Sequence, residues 1–362
     1  MMNRLLFAFM FLLMAPALAQ NPSPSAPPAE LYHGLADKKD LLVRELAPGL
    51  SAGVLLEMDA TYFRQGESEE SDLTVATFEV DLTGQLVDWA TGQVNLYWEQ
   101  AGGEPMEVDV ATITLGASET IPYYLQAGRL YVPFGVFNTH FVSDPLPQDL
   151  GETRETTAMI GYENDCFHLR GGVFNGDRTQ EAADKKNNID NGVAALTLTP
   201  AERFECGAYW LSDLGESFGL RDTAWHEGFD AQKAGGVGAY LSWSIWKLVL
   251  EGEIITATKE LSYFTEIEEK TTEEEEVPFI EETNIKPLAW NTEIAFLPAE
   301  RWEFAARLGG SDDFPGRPEW QYGLAGSYGL MEGVSVKLEY LRGQFKDDDD
   351  SDTVTGELAM EF

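Results

Sequence analysis

The four histidines are the first residues to examine for chemistry, because histidine serves both as a metal ligand and as a general base. His33, His140, His168 and His226 are scattered along the chain without the spacing of a metal site. No HExxH or phosphate-binding glycine motif accompanies them. The sequence therefore predicts no metal site, no cofactor and no enzyme. A catalytic group hidden around His140 or His226 with nearby carboxylates is the weaker alternative.

Carboxylates dominate the charge of the chain. The 62 Asp and Glu residues outnumber the 24 Lys and Arg residues, which gives a formal net charge of -38 and argues against nucleic acid as a partner. The acidic runs Glu273 to Glu276 and Asp347 to Asp350 are predicted to lie in solvated loops. On an outer rim they favour cationic solutes and divalent ions shared with lipopolysaccharide. Neither run has the ligand spacing of a calcium loop.

The N-terminal segment predicts export from the cytoplasm. Residues 1–19 combine one basic residue, an apolar run and a final Ala-Leu-Ala, the pattern of a secretory signal peptide. Residues 20–49 are predicted to form a periplasmic arm in which a Pro- and Ser-rich linker precedes a short amphipathic helix over Leu31 to Leu46. A loosely ordered arm is the alternative.

From residue 50 onward, apolar and polar residues alternate with the period of a β-strand. The first strands fit either a soluble sandwich or a membrane barrel, because both have one apolar and one polar face. The number of strands favours the barrel, since about sixteen is an even number that closes an antiparallel cylinder. The predicted strands are 50–63, 73–87, 92–100, 108–115, 122–132, 155–163, 167–175, 191–199, 203–212, 235–244, 247–258, 287–297, 301–310, 319–328, 333–345 and 353–362.

The connections alternate between short turns and long charged loops, which is typical of bacterial outer-membrane barrels. The fold class predicted is therefore all-β: a transmembrane antiparallel barrel over residues 50–362. The third long connection, 132–154, carries too many aromatic and apolar residues for a disordered loop. We expect it to fold inward and narrow the lumen. The last strand ends on Phe362, which resembles the signature recognised by the barrel-assembly machinery.

Two sets of residues are predicted to control passage. The inward loop is expected to supply a pore constriction, and alternate strand positions are expected to line the lumen with charges of both signs. The constriction residues are Phe134, Asn138, His140, Asp144, Glu152 and Arg154. The lumen residues are Glu57, Asp59, Glu79, Asp81, Arg129, Arg170 and Arg307.

Three motifs around this loop resemble the LbtU-type siderophore porin family. They are YVPFGVF at Tyr131 to Phe137, SDPL at Ser143 to Leu146 and LGETRE at Leu150 to Glu155. The DW turn at Asp88 and the LEGEIITA segment from Leu250 extend the similarity. The resemblance implies an outer-membrane barrel that takes up a ferric siderophore without TonB.

The function predicted from the sequence is thus passage of a small solute across the outer membrane of a Gram-negative bacterium, with a ferric siderophore as the specific form. A general, carboxylate-type or cation-type diffusion porin is the first alternative, and a structural or adhesive surface barrel is the second. Outer-membrane lipid and lipopolysaccharide are the expected surroundings. Assembly as a homotrimer stays open.

Overall fold

The computed structural model describes residues 44–100, 105–118, 121–176, 188–224, 232–270, 276–346 and 349–362. The predicted signal peptide and nearly all of the predicted arm lie outside these ranges. Among the described residues, no helix is long and apolar enough to cross a membrane.

Sixteen antiparallel strands close into a cylinder, as the sequence predicted. The main sheet has 17 strands, and removing the short β1, which pairs with the start of β2, leaves the sixteen. The cylinder closes where β19 pairs with β2. The strands are β1 (Arg44–Ala47), β2 (Leu50–Gln65), β3 (Ser68–Val87), β4 (Ala90–Trp98), β5 (Glu107–Ser118), β6 (Ile121–Tyr131), β7 (Arg154–Glu163), β8 (Phe167–Phe174), β9 (Asn191–Ala201), β10 (Phe204–Leu211), β11 (Gly236–Ile245), β12 (Leu248–Ala257), β13 (Leu261–Lys270), β14 (Glu276–Ile285), β15 (Leu288–Ala299), β16 (Trp302–Asp312), β17 (Trp320–Met331), β18 (Val334–Gln344) and β19 (Ser351–Glu361).

Side chains alternate between a lipid face and a lumen face, because successive strand residues point to opposite sides of a sheet. On β15 and β16 the exposed residues are apolar, including Ile294, Phe296 and Phe304. The residues between them are buried and include charged side chains such as Glu293 and Glu303 as well as small ones such as Ala295. This is the reverse of a soluble protein, since the apolar face turns outward to meet lipid.

Two predicted loops contain regular structure instead. The segment 64–72 was expected to be a long loop, but β2 and β3 continue through it and meet at a tight turn in which Gly66 has φ +59°. The segment 259–286 contains the hairpin of β13 and β14, which forms a separate two-stranded sheet. Polar residues on both faces hid these strands from a search for apolar alternation.

The helix predicted over Leu31 to Leu46 is wrong in the part that the structure describes. Arg44–Ala47 is strand β1, and it pairs with the start of β2. A neighbouring strand with unpaired backbone groups offers partners that an isolated helical turn of this length lacks. The sheet therefore begins before the predicted barrel boundary at residue 50.

The third long connection, residues 132–153, is named the inward loop. It joins β6 to β7 and contains a short helix, α1 (Leu146–Gly151), which begins after Pro145. Phe134, Phe141 and Leu150 have almost no exposed surface. The loop is therefore packed inside the barrel, where the sequence analysis expected it.

Candidate functional site

Glutamates of the barrel wall hold the inward loop by its main chain. Glu253 on β12 accepts the N–H groups of Val136 and Phe137 at 2.9 and 2.8 Å. Glu293 on β15 accepts the N–H of His140 at 2.7 Å. Because a carboxylate bonds N–H groups more strongly than a neutral acceptor does, each contact satisfies a buried donor well.

The same pattern continues along the wall. Glu339 on β18 accepts the N–H groups of Val142 and Ser143 at 2.7 and 3.1 Å. Lys337, two residues earlier on β18, donates to the carbonyl oxygen of Phe141 at 3.3 Å. The loop thus crosses β12, β15, β16 and β18 in order. Carboxylates on β12, β15 and β18 accept hydrogen bonds from its main chain along the way.

Arg307 on β16 is the cation that balances this acidic wall. Its Nε donates to Glu293 at 2.8 Å, and both side chains are fully buried. Its terminal nitrogens donate to the Ser143 and Asp144 carbonyl oxygens at 2.8 and 3.2 Å. A guanidinium can serve these acceptors together because its donors are fixed in one plane.

His140 lies on the wall side of the loop. Its Nδ1 is 3.0 Å from Glu303 Oε1, and both side chains are buried. Burial by itself lowers the pKa of His140, but the hydrogen bond and charge of Glu303, together with the charge of Glu293, raise the pKa above its ordinary value. His140 is therefore an anchor and not a water-facing constriction residue.

Apolar packing fixes the two ends of the loop. Phe134 packs in a buried cluster with Leu150, Tyr209 and Ile255, and its ring meets that of Tyr209 edge-on at 5.2 Å. A Cβ at Gly151 of α1 would lie 2.5 Å from Ile255, so the helix approaches the wall closely. Phe134 therefore packs against the wall as well and does not face the lumen water.

The remaining predicted constriction residues keep some exposed surface. Asp144 is exposed, while Asn138, Glu152 and Arg154 are partly exposed. Asn138 donates to Glu251 at 3.3 Å. Arg154, the first residue of β7, pairs with Asp109 and lies 3.0 Å from Glu107.

Two carboxyl groups of the loop lie near its junction with the connection 212–235. Burial, together with the charge of Asp144, raises the pKa of Asp149 to about 6 and that of Glu152 to about 7. The Glu152 carbonyl oxygen accepts the N–H of Phe218 at 2.8 Å. The inward loop is thus covered at this end by a second connection.

Most of the predicted lumen residues lie on the inward face. Asp59, Glu79, Asp81 and Arg170 are partly exposed there, Glu57 is shielded, and Arg307 is covered by the loop. Asn95 on β4 donates to Glu79 and, at 3.0 Å, to Asp81.

Arg129 is the exception, and its predicted lumen position is wrong. It falls in the alternate set of β6 that contains the exposed Tyr123 and Leu125, and it pairs across the sheet with the exposed Thr156. Because the register runs without a shift between β6 and β7, Arg129 cannot join the buried set of Leu130. Its guanidinium lies 3.5 Å from Glu107.

The wall glutamates were missed by sequence reasoning. Glu251, Glu253, Glu293, Glu303 and Glu339 occupy inward positions on strands that were predicted correctly. The sequence feature that could have revealed them is an excess of carboxylates at inward strand positions. These carboxylates face a loop whose main-chain N–H groups have no sheet partners. Within the described ranges, no group of three or more His, Cys, Asp and Glu side chains is arranged to hold a metal ion.

Comparison with known proteins places this fold. No protein-family model matches the chain. A UPF0422 protein of Coxiella burnetii is 26% identical over 201 residues, which cover 53% of this chain and 43% of that protein. The match therefore spans less than half of the length of this relative.

Solved structures match far more of the chain. The outer-membrane channel DcaP of Acinetobacter baumannii has a TM-score of 0.61 at 11% identity and covers 88% of this chain and 99% of its own. The anion-selective porin from Comamonas acidovorans has a TM-score of 0.61 at 9% identity and covers 86% and 99%. The chain thus has a porin-like β-barrel fold that matches outer-membrane porins. At these identities the likeness shows the fold alone.

Proposed function

We propose that this barrel is a channel, not an enzyme, through which small solutes diffuse across the outer membrane. The observation that carries the proposal is that the inward loop is attached to one side of the barrel wall, at β12 to β18. Beneath the loop, Glu293, Glu303 and Glu339 are 0%, 2% and 1% exposed. On the facing wall, Glu79 and Asp81 keep partial exposure. The passage therefore lies between the loop and the wall formed by β2 to β8.

The charges along this passage favour cations and dipolar solutes. Arg307 is already neutralised by Glu293, whereas Glu79 and Asp81 share a single neutral partner, Asn95. An acidic passage raises the local concentration of cations and slows simple anions. A general cation-type diffusion porin is the least specific form of the proposal.

Uptake of a ferric siderophore without TonB is the more specific form. It is supported by the resemblance to the LbtU-type family, because the motif residues Tyr131 to Phe137, Ser143 to Leu146 and Leu150 to Glu155 build the inward loop and its junctions with the wall. The residues that carry the resemblance thus form the part of the barrel that selects solutes.

Conductance of the purified chain in planar lipid bilayers tests the channel. Stepwise current increases are expected, and bilayers that stay closed although the protein is folded would instead favour the structural or adhesive barrel. A ferric siderophore added to one side should reduce the current reversibly. Conductance without such block, together with unchanged ferric-siderophore uptake in a deletion strain, would exclude siderophore uptake and support a general diffusion porin.

The assembly is proposed on the same basis. Export by the signal peptide of residues 1–19, insertion by the barrel-assembly machinery through Phe362, and a homotrimer surrounded by lipopolysaccharide are consistent with a porin-like channel. Native mass spectrometry of the protein extracted in mild detergent distinguishes a trimer from a monomer.

A further inference from the structure

Arg170 on β8 is a lumen cation without an acidic partner. The other inward cations pair with carboxylates: Arg307 with Glu293 at 2.8 Å, and Lys337 with Glu357 at 3.9 Å. Within the described part of the chain, Arg170 makes no ion pair, and its shielded Nε has no hydrogen-bond acceptor. In a chain of net charge -38, an arginine without an acidic partner requires an explanation, because a partly buried guanidinium loses water that nothing replaces.

A tyrosine is folded toward Arg170 from one side. Tyr124 on β6, Gly161 on β7 and Arg170 on β8 lie in one row of the sheet. A Cβ at Gly161 would lie 2.2 Å from Cζ of Tyr124, so the phenol ring lies across the glycine. Its hydroxyl reaches Nε2 of His168 on β8 at 2.7 Å.

A second tyrosine is folded in from the other side. Tyr240 on β11 lies across Gly207 on β10, where a Cβ would be 2.4 Å from its ring. Its hydroxyl donates to Glu205 at 2.7 Å and lies 3.0 Å from the hydroxyl oxygen of Thr197 on β9. Thr197 pairs directly with His168. Two glycines thus let two rings converge on β8 and β9 at His168 and Thr197, two residues along β8 from Arg170.

Tyr124 and Tyr240 are named the cradle of Arg170, and few charged groups surround it. The charge of Arg170 acts on Tyr124, His168 and Tyr240, while Glu163 and Glu205 act on His168 from the end of the barrel that carries the short turns. Glu205 is occupied by the Tyr240 hydroxyl. The guanidinium is therefore the group left to bind an anion that enters the lumen.

We propose that Arg170, in the cradle of Tyr124 and Tyr240, binds a carboxylate group of the solute in transit. The planar fork of a guanidinium matches the two oxygens of a carboxylate. The site rests on the proposed channel and deepens it: the acidic passage admits the solute, and Arg170 selects those solutes that carry a carboxylate arm.

Citrate is a suitable probe at about 1 M salt, where screening lets an anion enter the acidic passage, with inorganic phosphate compared under the same conditions. Citrate should reduce the current of the wild-type channel, and Arg170→Gln should raise the concentration needed by about 10- to 100-fold, the loss expected for a hydrogen-bonded charge. Arg170→Lys should recover part of the effect. Equal binding of phosphate and citrate would overturn the preference for carboxylates.

Two glycine variants test the cradle without changing charge. Gly161→Ala should weaken citrate block because the new methyl displaces Tyr124. Gly171→Ala is the matched control, since its nearest neighbour would be 3.9 Å away. Heat-dependent gel mobility reports whether each variant folds into a barrel.

Calorimetric titration of citrate into the detergent-solubilised protein separates this site from channel function. If the bilayers stay closed but calorimetry shows binding that Arg170→Gln abolishes, the channel proposal fails and the site stands. If the channel conducts but citrate binds the wild type and Arg170→Gln equally, or neither, the site is refuted.

Discussion

Arg307 on β16 lies over the ring of Phe141 in the inward loop, with its Cζ 4.3 Å from the ring centroid. The same guanidinium donates to Glu293 on the neighbouring strand. One side chain therefore joins the wall, the ring and the loop main chain. Contacts of this kind gain strength when water is excluded, as it is around this fully buried pair.

Arg307→Met is expected to free the inward loop. Removing one partner of a buried ion pair costs about 3–5 kcal/mol, because the remaining carboxylate is left uncompensated. Conductance and its noise should rise, and urea unfolding in lipid vesicles should begin at lower concentration. Arg301→Met is the control, since Arg301 is exposed and its guanidinium contacts the Leu330 carbonyl oxygen at 3.5 Å. Equal conductance in the two variants would contradict the anchoring role.

Deleting Asn138 to Gln148 is expected to widen the passage. This segment carries the contacts to Glu293 and Glu339, so its removal exposes that wall to water. Single-channel conductance should increase, and larger uncharged sugars should enter liposomes faster. A folded barrel with unchanged sugar permeation would show that the loop does not limit passage.

The junction between the inward loop and the connection 212–235 is expected to weaken as pH rises. The carboxyl pKa values of Asp149 and Glu152, about 6 and about 7, lie above those of an unfolded chain, about 4. The folded state therefore holds these protons more tightly, and its advantage is lost as pH rises from about 4 through about 7.

Hydrogen exchange at the Phe218 amide, which bonds to the Glu152 carbonyl oxygen, measures this effect. After correction for intrinsic rates, protection should be lower at high pH than at low pH. Glu152→Gln should remove most of the dependence, because its side chain stays neutral. Glu163→Gln, in an exposed position, should leave it unchanged. Protection that increases with pH in the wild type would reverse the predicted sign.

Cation preference is expected to depend on Glu79 and Asp81. The double variant Glu79→Gln, Asp81→Asn removes two carboxylates from the water-facing wall, so the reversal potential in a salt gradient should move toward zero. The shift should be largest at low salt, because ions screen charges beyond about 10 Å at 0.1 M. Asp88→Asn, in the turn between β3 and β4, serves as the control. An equal shift in the control would assign selectivity to overall charge.

The barrel could be predicted because each strand has a sequence pattern confined to a few neighbouring residues. A two-residue period marks each membrane-spanning strand, and the order of short and long connections gives the topology. The hairpin of β13 and β14 was missed since no lipid-facing side requires apolar residues there. Likewise, β2 extends past its predicted end to Gln65 and β3 begins early, at Ser68, in a stretch where alternation with apolar residues ends.

The candidate site was less predictable because it depends on contacts between distant residues. Val142 and Glu339 are 197 positions apart, and no local pattern connects them. His140 and Phe134 have the residue types of a constriction, yet they face the wall. Arg129 was misplaced by a single step, which in a strand is enough to reverse its side.

Because the inward loop is attached through its main chain, its path does not depend on the side chains at its surface. Three glutamates, Glu253, Glu293 and Glu339, accept five main-chain N–H groups of the loop, and a main-chain group is the same whichever side chain it carries. Side chains at water-facing positions such as Asp144 can therefore be replaced while the main chain keeps its path. A library of loop variants over an unchanged wall would give barrels that differ in what they pass and share how they fold.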